Sequence, residues 1–267
     1  MTFIRQSAFS LLELVIVITI TAILAISLAS LTEYSISGYI DAKDRNQLSQ
    51  SAKWTTERIA REAREALPQS IRVNVSANVH CVEFMNIVNG STYLNLPASG
   101  PITSFNAVEF DINFSAGLIV AIMPINPTDI YSVAGTLGTV GSIADLGAQA
   151  QINLTGPTTF SRRSPQDRFY LLTTPISFCL DNTNGQLTRY SGYPITLAQP
   201  TPPAAGTIEL IAENYSANGT VFNYQAGALS RAGLLQMNFQ MQNRNRNLAA
   251  NEEAFEVFHE VHIRNVP

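Results

Sequence analysis

The stretch SAFSLLELVIVITITAILAISLASL, Ser7 to Leu31, is the most apolar part of the chain and decides how its N-terminal region folds. From Leu14 to Leu31 it holds 18 uncharged residues rich in Leu, Ile, Val and Ala, enough for a helix that crosses a membrane. An ordinary secretory signal has a shorter apolar core, with small residues at a cleavage site on its far side. Here the apolar run continues into more helical sequence and the small residue Ala8 precedes it, which favours a transmembrane helix.

A single carboxylate, Glu13, lies near the start of this stretch. A charged side chain costs about 2.5–3.5 kcal/mol at the middle of a membrane and less near the interface. In one interpretation Glu13 simply extends toward the lipid headgroups. In the other it has a cationic partner, because a cut after Ala8 would make the α-amine of Phe9 available, on the same helix or from a staggered neighbour.

The segment NQLSQSAKWTTERIAREAREALP, residues 46–68, is typical of an amphipathic helix that Pro68 ends. We predict one helix from about Phe9 to Leu67, roughly 90 Å long at 1.5 Å per residue, with Gly38 as the place where it could bend. Apolar and small residues recur in it at steps of three and four: Leu48, Ala52, Thr55, Ile59, Ala63 and Ala66.

Beyond Pro68 the sequence changes to short β-type runs separated by Gly, Pro, Asn and Ser. In LLQMNFQMQ, residues 234–242, apolar and amide side chains alternate, which predicts a strand with one buried face. FEVFHEVHIR, residues 255–264, behaves similarly. Residues 135–157 and 198–206 are predicted to be loops. Further strand candidates are IRVNVS, VEFMNIV, AVEFDI, LIVAI, RFYLLTT, TIELIAE and TVFNY.

Together these patterns predict an α+β fold, in which a long N-terminal helix packs on a mostly antiparallel β domain. The predicted segments are a leader at residues 1–8, a transmembrane half-helix at 9–31, an amphipathic half-helix at 32–67 and a β-rich globular domain at 68–267.

Composition and the absence of known motifs argue against several functions. The net charge of −4 and the pI near 5.4 argue against a nucleic-acid binder, which needs an excess of Lys and Arg. No GxSxG, HExxH or P-loop motif occurs. We therefore predict no catalytic residue, no cofactor and no resident metal. Only 13% of residues are charged, against about 25% in ordinary soluble domains, which favours a protein outside the cytoplasm.

The segment AFSLLELVIVITITAILA, residues 8–25, resembles the N-terminus of type IV prepilins and of the pseudopilins of type II secretion systems. That resemblance implies the type IV pilin-like fold. It also implies that Ala8 is the last leader residue, that a prepilin peptidase cuts before Phe9 and methylates it, and that Glu13 recruits the subunit into a filament. The family usually has Gly before the cut, so Ala8 departs from its pattern.

Two later segments, RFYLLTTPISFCLDNTNGQLTRYSGY and FEVFHEVHIRNVP, resemble the large minor pilins grouped with J-type pseudopilins and W-type minor pilins, including those of the mannose-sensitive haemagglutinin (MSHA) pilus. The implied protein is a minor pilin of a Gram-negative bacterium, anchored once in the inner membrane with its N-terminus inside. Its implied partners are other minor and major pilins, the prepilin peptidase and the inner-membrane assembly platform. After assembly it would lie in the pilus at the cell surface.

Cys81 and Cys179 are the only cysteines. If the domain faces the periplasm, we expect them to form a disulfide that closes a loop of about 100 residues. The alternative is two separate buried thiols.

The segment DNTNGQL, residues 181–187, has two interpretations. Asp181, Asn182 and Asn184 carry oxygen atoms suited to calcium. Asn-Gly between β-type runs is, however, a strong hairpin signal because both turn residues tolerate positive φ. We expect the hairpin.

Two further groups have ordinary structural explanations. His259 and His262 lie three apart in a predicted strand and so point to opposite faces, which favours a hydrogen-bonded core histidine at position 259. Arg162, Arg163 and Arg168 are expected in a solvated loop, with contact to an acidic neighbouring pilin as the alternative.

Three classes of function remain. A structural assembly subunit is the prediction. A tip-exposed adhesin or a J-type pseudopilin of a type II secretion system would share the same N-terminus. A membrane-anchored periplasmic enzyme would instead lack processing at Ala8 and would tolerate the loss of Glu13.

Overall fold

The computed structural model describes residues 10–111, 117–132, 137–228, 231–241 and 255–264. The chain divides into two compact units with the boundary after Gln50. Helix α1, Leu11–Arg64, supplies the described part of the first unit and begins the second.

In the second unit, α1 buries the face that the sequence predicts. Ala52, Ile59 and Ala63 are at most 2% exposed, since residues three and four apart share one side of a helix. The regular helix ends at Arg64, three residues before Leu67, because the chain there begins to bond to the strands. The Leu67 N–H donates to the Met85 carbonyl at 2.9 Å.

Five strands form an antiparallel sheet in the order β1-β2-β9-β10-β11. Charged side chains link α1 to its last two strands: Arg189 on β10 contacts Glu62 at 2.9 Å, and Glu209 on β11 contacts Arg58 at 2.7 Å. The strands are β1 Arg72–Ser76, β2 Val79–Phe84, β9 Ile176–Asp181, β10 Gln186–Ser191 and β11 Thr207–Ala212.

Six further strands, all within residues 87–172, form a second antiparallel sheet in the order β3-β8-β5-β6-β7-β4. A bridge between Tyr93 and Ala107 brings its two ends together, so that the sheet surrounds a core of its own that includes Phe105, Ile152 and Phe169. The strands are β3 Ile87–Thr92, β4 Ile102–Val108, β5 Ile119–Ala121, β6 Leu137–Asp145, β7 Gln149–Thr158 and β8 Arg168–Leu172.

This sheet corrects one prediction. Residues 135–157 were expected to be a loop, but β6 and most of β7 lie there. Their few apolar side chains, such as Val140 and Ile152, point into the core, while Gly, Ala, Gln, Asn and Thr occupy the remaining positions. Pairing with neighbouring strands stabilises β6 and β7. Their apolar side chains alternate too weakly for the sequence to predict them.

A third sheet has β14, Gly233–Met241, at its centre. Strands β12, Tyr215–Ser216, and β13, Phe222–Gln225, pair with different parts of β14. Strand β15, Phe255–Ile263, pairs with its whole length. Because β15 overlaps the positions of both short strands, it must lie on the opposite side of β14.

A short helix, α2 at Pro127–Tyr131, precedes β6 and begins with a capping box between Asn126 and Asp129. The described structure is therefore a long apolar N-terminal helix followed by an antiparallel β domain, as expected for a type IV pilin-like α+β fold.

Candidate functional site: the apolar helix around Glu13

Glu13 lies in the first turn of α1. Its backbone N–H donates to the Ser10 carbonyl at 3.1 Å and to Ser10 Oγ at 3.2 Å, so the Ser10 side chain caps the helix. Ser10-Leu11-Leu12-Glu13 has the spacing of a capping box, and an acidic side chain near a helix N-terminus interacts favourably with the helix dipole. This local role for Glu13 escaped the sequence interpretation, although the Ser-x-x-Glu spacing signals it.

The helix that follows Glu13 is apolar and uncovered. Its most apolar 18-residue window has a mean hydropathy of 2.7, and none of that window is buried in the protein. Exposed fractions of its large side chains run from 47% at Val15 to 83% at Leu11. Apolar surface of this extent is unfavourable in water, so the segment is suited to an apolar environment such as a membrane or a bundle of apolar helices.

Hydroxyl groups on this helix are satisfied by its own backbone. Thr21 Oγ1 donates to the Val17 carbonyl at 2.7 Å, and Ser27 Oγ donates to the Ile23 carbonyl at 3.0 Å. Every Ser and Thr between Leu11 and Gly38 makes such a bond: Thr19, Thr21, Ser27, Ser30, Thr32, Ser35 and Ser37. A buried hydroxyl without a partner costs free energy, so these bonds suit the helix to a membrane or a bundle of apolar helices.

The predicted processing residues Ala8 and Phe9 lie outside the described residues. The proposed pairing of Glu13 with the amine of Phe9 therefore stays a prediction.

Cys81 and Cys179 are bonded, with an S–S distance of 2.04 Å. They occupy opposite positions on neighbouring strands, β2 and β9, with Cα atoms 4.1 Å apart. The bond therefore ties together two central strands of the five-stranded sheet.

Residues 181–186 form the predicted hairpin between β9 and β10. Its loop has four residues, and of the Asn-Gly pair only Gly185 has positive φ, at 71°. Backbone N–H groups donate to the candidate ligand oxygens: Thr183 to Asp181, Gln186 to Asn184 and Ala217 to Asn182. These bonds explain the three side chains as supports of the turn.

The basic group has partners within the domain. Arg162 contacts Asp129 on α2 at 2.5 Å, and the Arg163 guanidinium lies 5.9 Å from the centre of the Tyr93 ring. Burial raises the pKa of Tyr170, and a hydrogen bond with Arg168 and the charge of that side chain partly offset the rise. These contacts favour a structural role for the three arginines. The predicted loop is wrong for Arg168, which is the first residue of strand β8.

His259 lies on the inner face of β15 beside Val261, as expected, but it is only half-buried. Its Nε2 has no hydrogen-bond partner among the described residues. The predicted hydrogen bond of this histidine is therefore not found in that part of the chain.

A buried charged pair escaped the sequence interpretation. Glu83 on β2 is fully buried and contacts Arg72 on β1 at 2.9 Å. The Arg72 guanidinium also lies 3.5 Å from the centre of the Tyr131 ring and donates to the carbonyls of Thr196 and Leu197. Burial raises the pKa of Glu83, and the charge of Arg72 opposes that rise. The pair joins the sheet, α2 and the chain after β10, which is a structural role.

Residues 4–29 match the family described as the prokaryotic N-terminal methylation motif. The chain has no significant match among curated proteins or among solved structures. The motif covers Glu13 and most of the uncovered apolar helix, and it supports a type IV pilin-like protein, a structural subunit with a single membrane anchor. It also implies processing by a prepilin peptidase and assembly with other pilins.

Proposed function

We propose that this chain is a minor pilin, similar to pseudopilins, that helps to build a type IV pilus of the MSHA type as part of an assembly-initiating or tip complex. The observation that carries the proposal is the methylation motif at residues 4–29, on a helix whose described apolar side chains are exposed. The segments after Arg168 resemble the MSHA biogenesis protein MshO, which supports the choice of this pilus.

In this proposal the peptidase cuts between Ala8 and Phe9, and Phe9 is methylated. The helix then waits in the inner membrane with its N-terminus in the cytoplasm and the β domain in the periplasm. The Cys81–Cys179 bond supports that orientation, since disulfides persist in oxidising compartments.

Assembly exchanges lipid contacts for contacts with neighbouring helices along the face of Leu14, Val15 and Ile18, which are 47–57% exposed. Glu13 pairs with the Phe9 amine of another subunit, which removes the cost of an unpaired carboxylate in an apolar environment. The β domain selects the pilins that lie beside it.

Mass spectrometry of the N-terminal peptide from native membranes is the first test. We expect a peptide that begins at Phe9 and carries one additional methyl group. An intact Met1, or a cut beyond Leu31, would contradict the proposal.

Two variants then separate the charge of Glu13 from its capping role. Glu13→Gln keeps a side chain that suits this position of a capping box but removes the charge, and we expect incorporation into pili to fall at least tenfold. Ser10→Ala removes the cap that the structure shows and keeps the charge, and we expect it to assemble nearly normally. Wild-type assembly of Glu13→Gln would exclude the electrostatic mechanism.

A tip-exposed binding module is a second candidate, favoured by the separate core of the six-stranded sheet. Deletion of the gene distinguishes the two. Loss of pili supports the assembly role, whereas normal pili that no longer adhere support the binding module.

A further inference from the structure

Strand β15 forms a long edge of the third sheet. It pairs with β14 at nine consecutive positions, from Phe255 opposite Met241 to Ile263 opposite Gly233, with no shift of register. Within the described ranges no strand pairs with its other side. Among the described strands, β15 therefore lies at the edge of the sheet and presents a regular row of backbone groups.

The direction of those groups follows from β14. The Asn238 N–H donates to the Val221 carbonyl at 2.8 Å, on the β13 side of β14. Phe258 lies opposite Asn238, so its own N–H and C=O point away from β14. Because the pattern alternates, the outward-pointing residues are Glu256, Phe258, Glu260 and His262. All four are exposed.

The edges of the five-stranded sheet are protected in ways that β15 is not. On β11, Glu209 pairs with Arg58 and Arg189, and the register shifts beside it. On β1, Arg72 and Asn74 bind residues 196–201. Bulges, inward charges and covering segments are the usual protection of edge strands. β15 has no Pro, Lys or register shift.

The exposed face of β15 also has a definite charge pattern. Glu256 accepts from Asn238 at 3.1 Å and Glu260 accepts from Gln236 at 2.8 Å. These neutral amides orient the carboxylates without compensating their charge, and neither carboxylate has an ion-pair partner among the residues that the structure describes. Between them Phe258 is 60% exposed.

We propose that the β15 edge accepts a strand from a neighbouring pilin-like subunit, and that the facing side chains of that strand alternate basic, apolar, basic. Such a strand would bond to the outward backbone groups, place its basic residues opposite Glu256 and Glu260, and cover Phe258. A second copy of β15 fits poorly, because stacking Phe258 on Phe258 in an antiparallel pair sets Glu256 against Glu260. The identity of the partner as a pilin rests on the proposed function.

The test uses the full chain in its native membrane with p-benzoylphenylalanine at position 258. Light should produce an adduct to a pilin-like subunit, and the crosslinked peptide should lie in a strand with the basic, apolar, basic pattern. The double variant Glu256→Lys, Glu260→Lys should lower the adduct yield about tenfold, since like charges would then face each other. Ile208→Lys, at an exposed side chain on β11, is the control and should leave the yield unchanged.

A second variant tests the backbone. Phe258→Pro removes an N–H that points away from β14 and so spares the bonds between β14 and β15. It should lower incorporation into pili severalfold, while resistance to proteolysis stays as in wild type.

The inference would be overturned by an adduct to a second copy, to lipid or to a protein that is not a pilin. An adduct yield that stays the same in the Glu256→Lys, Glu260→Lys variant would overturn it as well. Mass spectrometry of the N-terminus on the same sample separates the two proposals. A methylated Phe9 without the expected adduct refutes only the role of β15, whereas an unprocessed N-terminus refutes the pilin assignment itself.

Discussion

The two halves of helix α1 differ in what surrounds them. Residues 11–31 are almost purely apolar and exposed, whereas Ile59 and Ala63 in the second half are fully buried against the domain. The first half satisfies its hydroxyls with its own backbone. The second half bonds through charged side chains to the sheet. The second half is therefore stabilised by its contacts with the domain, whereas the apolar side chains of the first half are not buried by any residue that the structure describes.

An identical substitution in each half should produce opposite defects. Ile59→Asp buries an unpaired carboxylate and removes a core side chain, which should cost about 5 kcal/mol or more and unfold the domain. Ile18→Asp, at a side chain that is 57% exposed, should leave the domain folded and impair membrane insertion. Pulse proteolysis in urea of the detergent-solubilised protein measures the first effect, and membrane fractionation measures the second.

Equal destabilisation of the domain by both variants would contradict the comparison. Ile18→Val, which changes size but not polarity, is the control for insertion and should behave as wild type.

Removing the disulfide should weaken only the half of α1 that the domain supports. The bond closes a loop with a sequence separation of 98, and the double variant Cys81→Ala, Cys179→Ala should lose about 2–4 kcal/mol of unfolding free energy. Hydrogen exchange should become faster in residues 52–63 and stay unchanged in residues 14–31. Equal acceleration in both halves would show that the first half also depends on the domain.

The sequence was sufficient for features with a strong periodic signal. The apolar helix, the buried stripe through Ile59 and the alternating strand β14 all follow from side-chain spacing. Sequence-based prediction was wrong where strands are ordered by pairing with distant segments and have little periodicity of apolar side chains. Strands β6 and β7 have few large apolar residues and gain their order from their neighbours, and AVEFDI, residues 107–112, stays in β4 only as far as Val108.

The candidate site divides in the same way. Glu13 stands out because a charge in an apolar run is unusual, and its capping partner Ser10 is local in sequence. The partner of Glu83 is Arg72, and nothing in the local sequence predicts that pairing of β1 with β2 would place them opposite each other. Long-range charge pairs of this kind become visible only once strand register is known.

The charged contacts that hold the second half of α1 should contribute modestly. A double-mutant cycle between Glu62→Ala and Arg189→Ala should give a coupling of about 1 kcal/mol, because both side chains are largely buried, at 19% and 16% exposed. The same cycle with Arg58→Ala in place of Arg189→Ala should give about 0.3–0.5 kcal/mol, as expected for an i,i+4 pair on one helix in which the Arg58 side chain is 45% exposed. Denaturant titration measures both coupling free energies. A larger coupling for Glu62–Arg58 than for Glu62–Arg189 would mean that burial does not determine the strength of these ion pairs.

The smallest expected effect is the pH dependence that Glu83 gives to the stability of the domain. Glu83 contacts Arg72 of the same chain, whereas we propose that the cation of Glu13 comes from another subunit. Burial raises the pKa of Glu83 above its ordinary value of 4.5, so the folded protein binds this proton more tightly than the unfolded chain does. Its contribution to stability is then fully present below pH 4.5 and is lost as the pH rises through the higher pKa of the folded state. Wild type should therefore lose stability relative to Glu83→Gln over that interval, measured by urea titration at successive pH values. A difference that grows in favour of wild type as the pH rises would show that the attraction of Arg72 outweighs burial, and Glu83 would then resemble the charge-paired state that we propose for Glu13 within a filament.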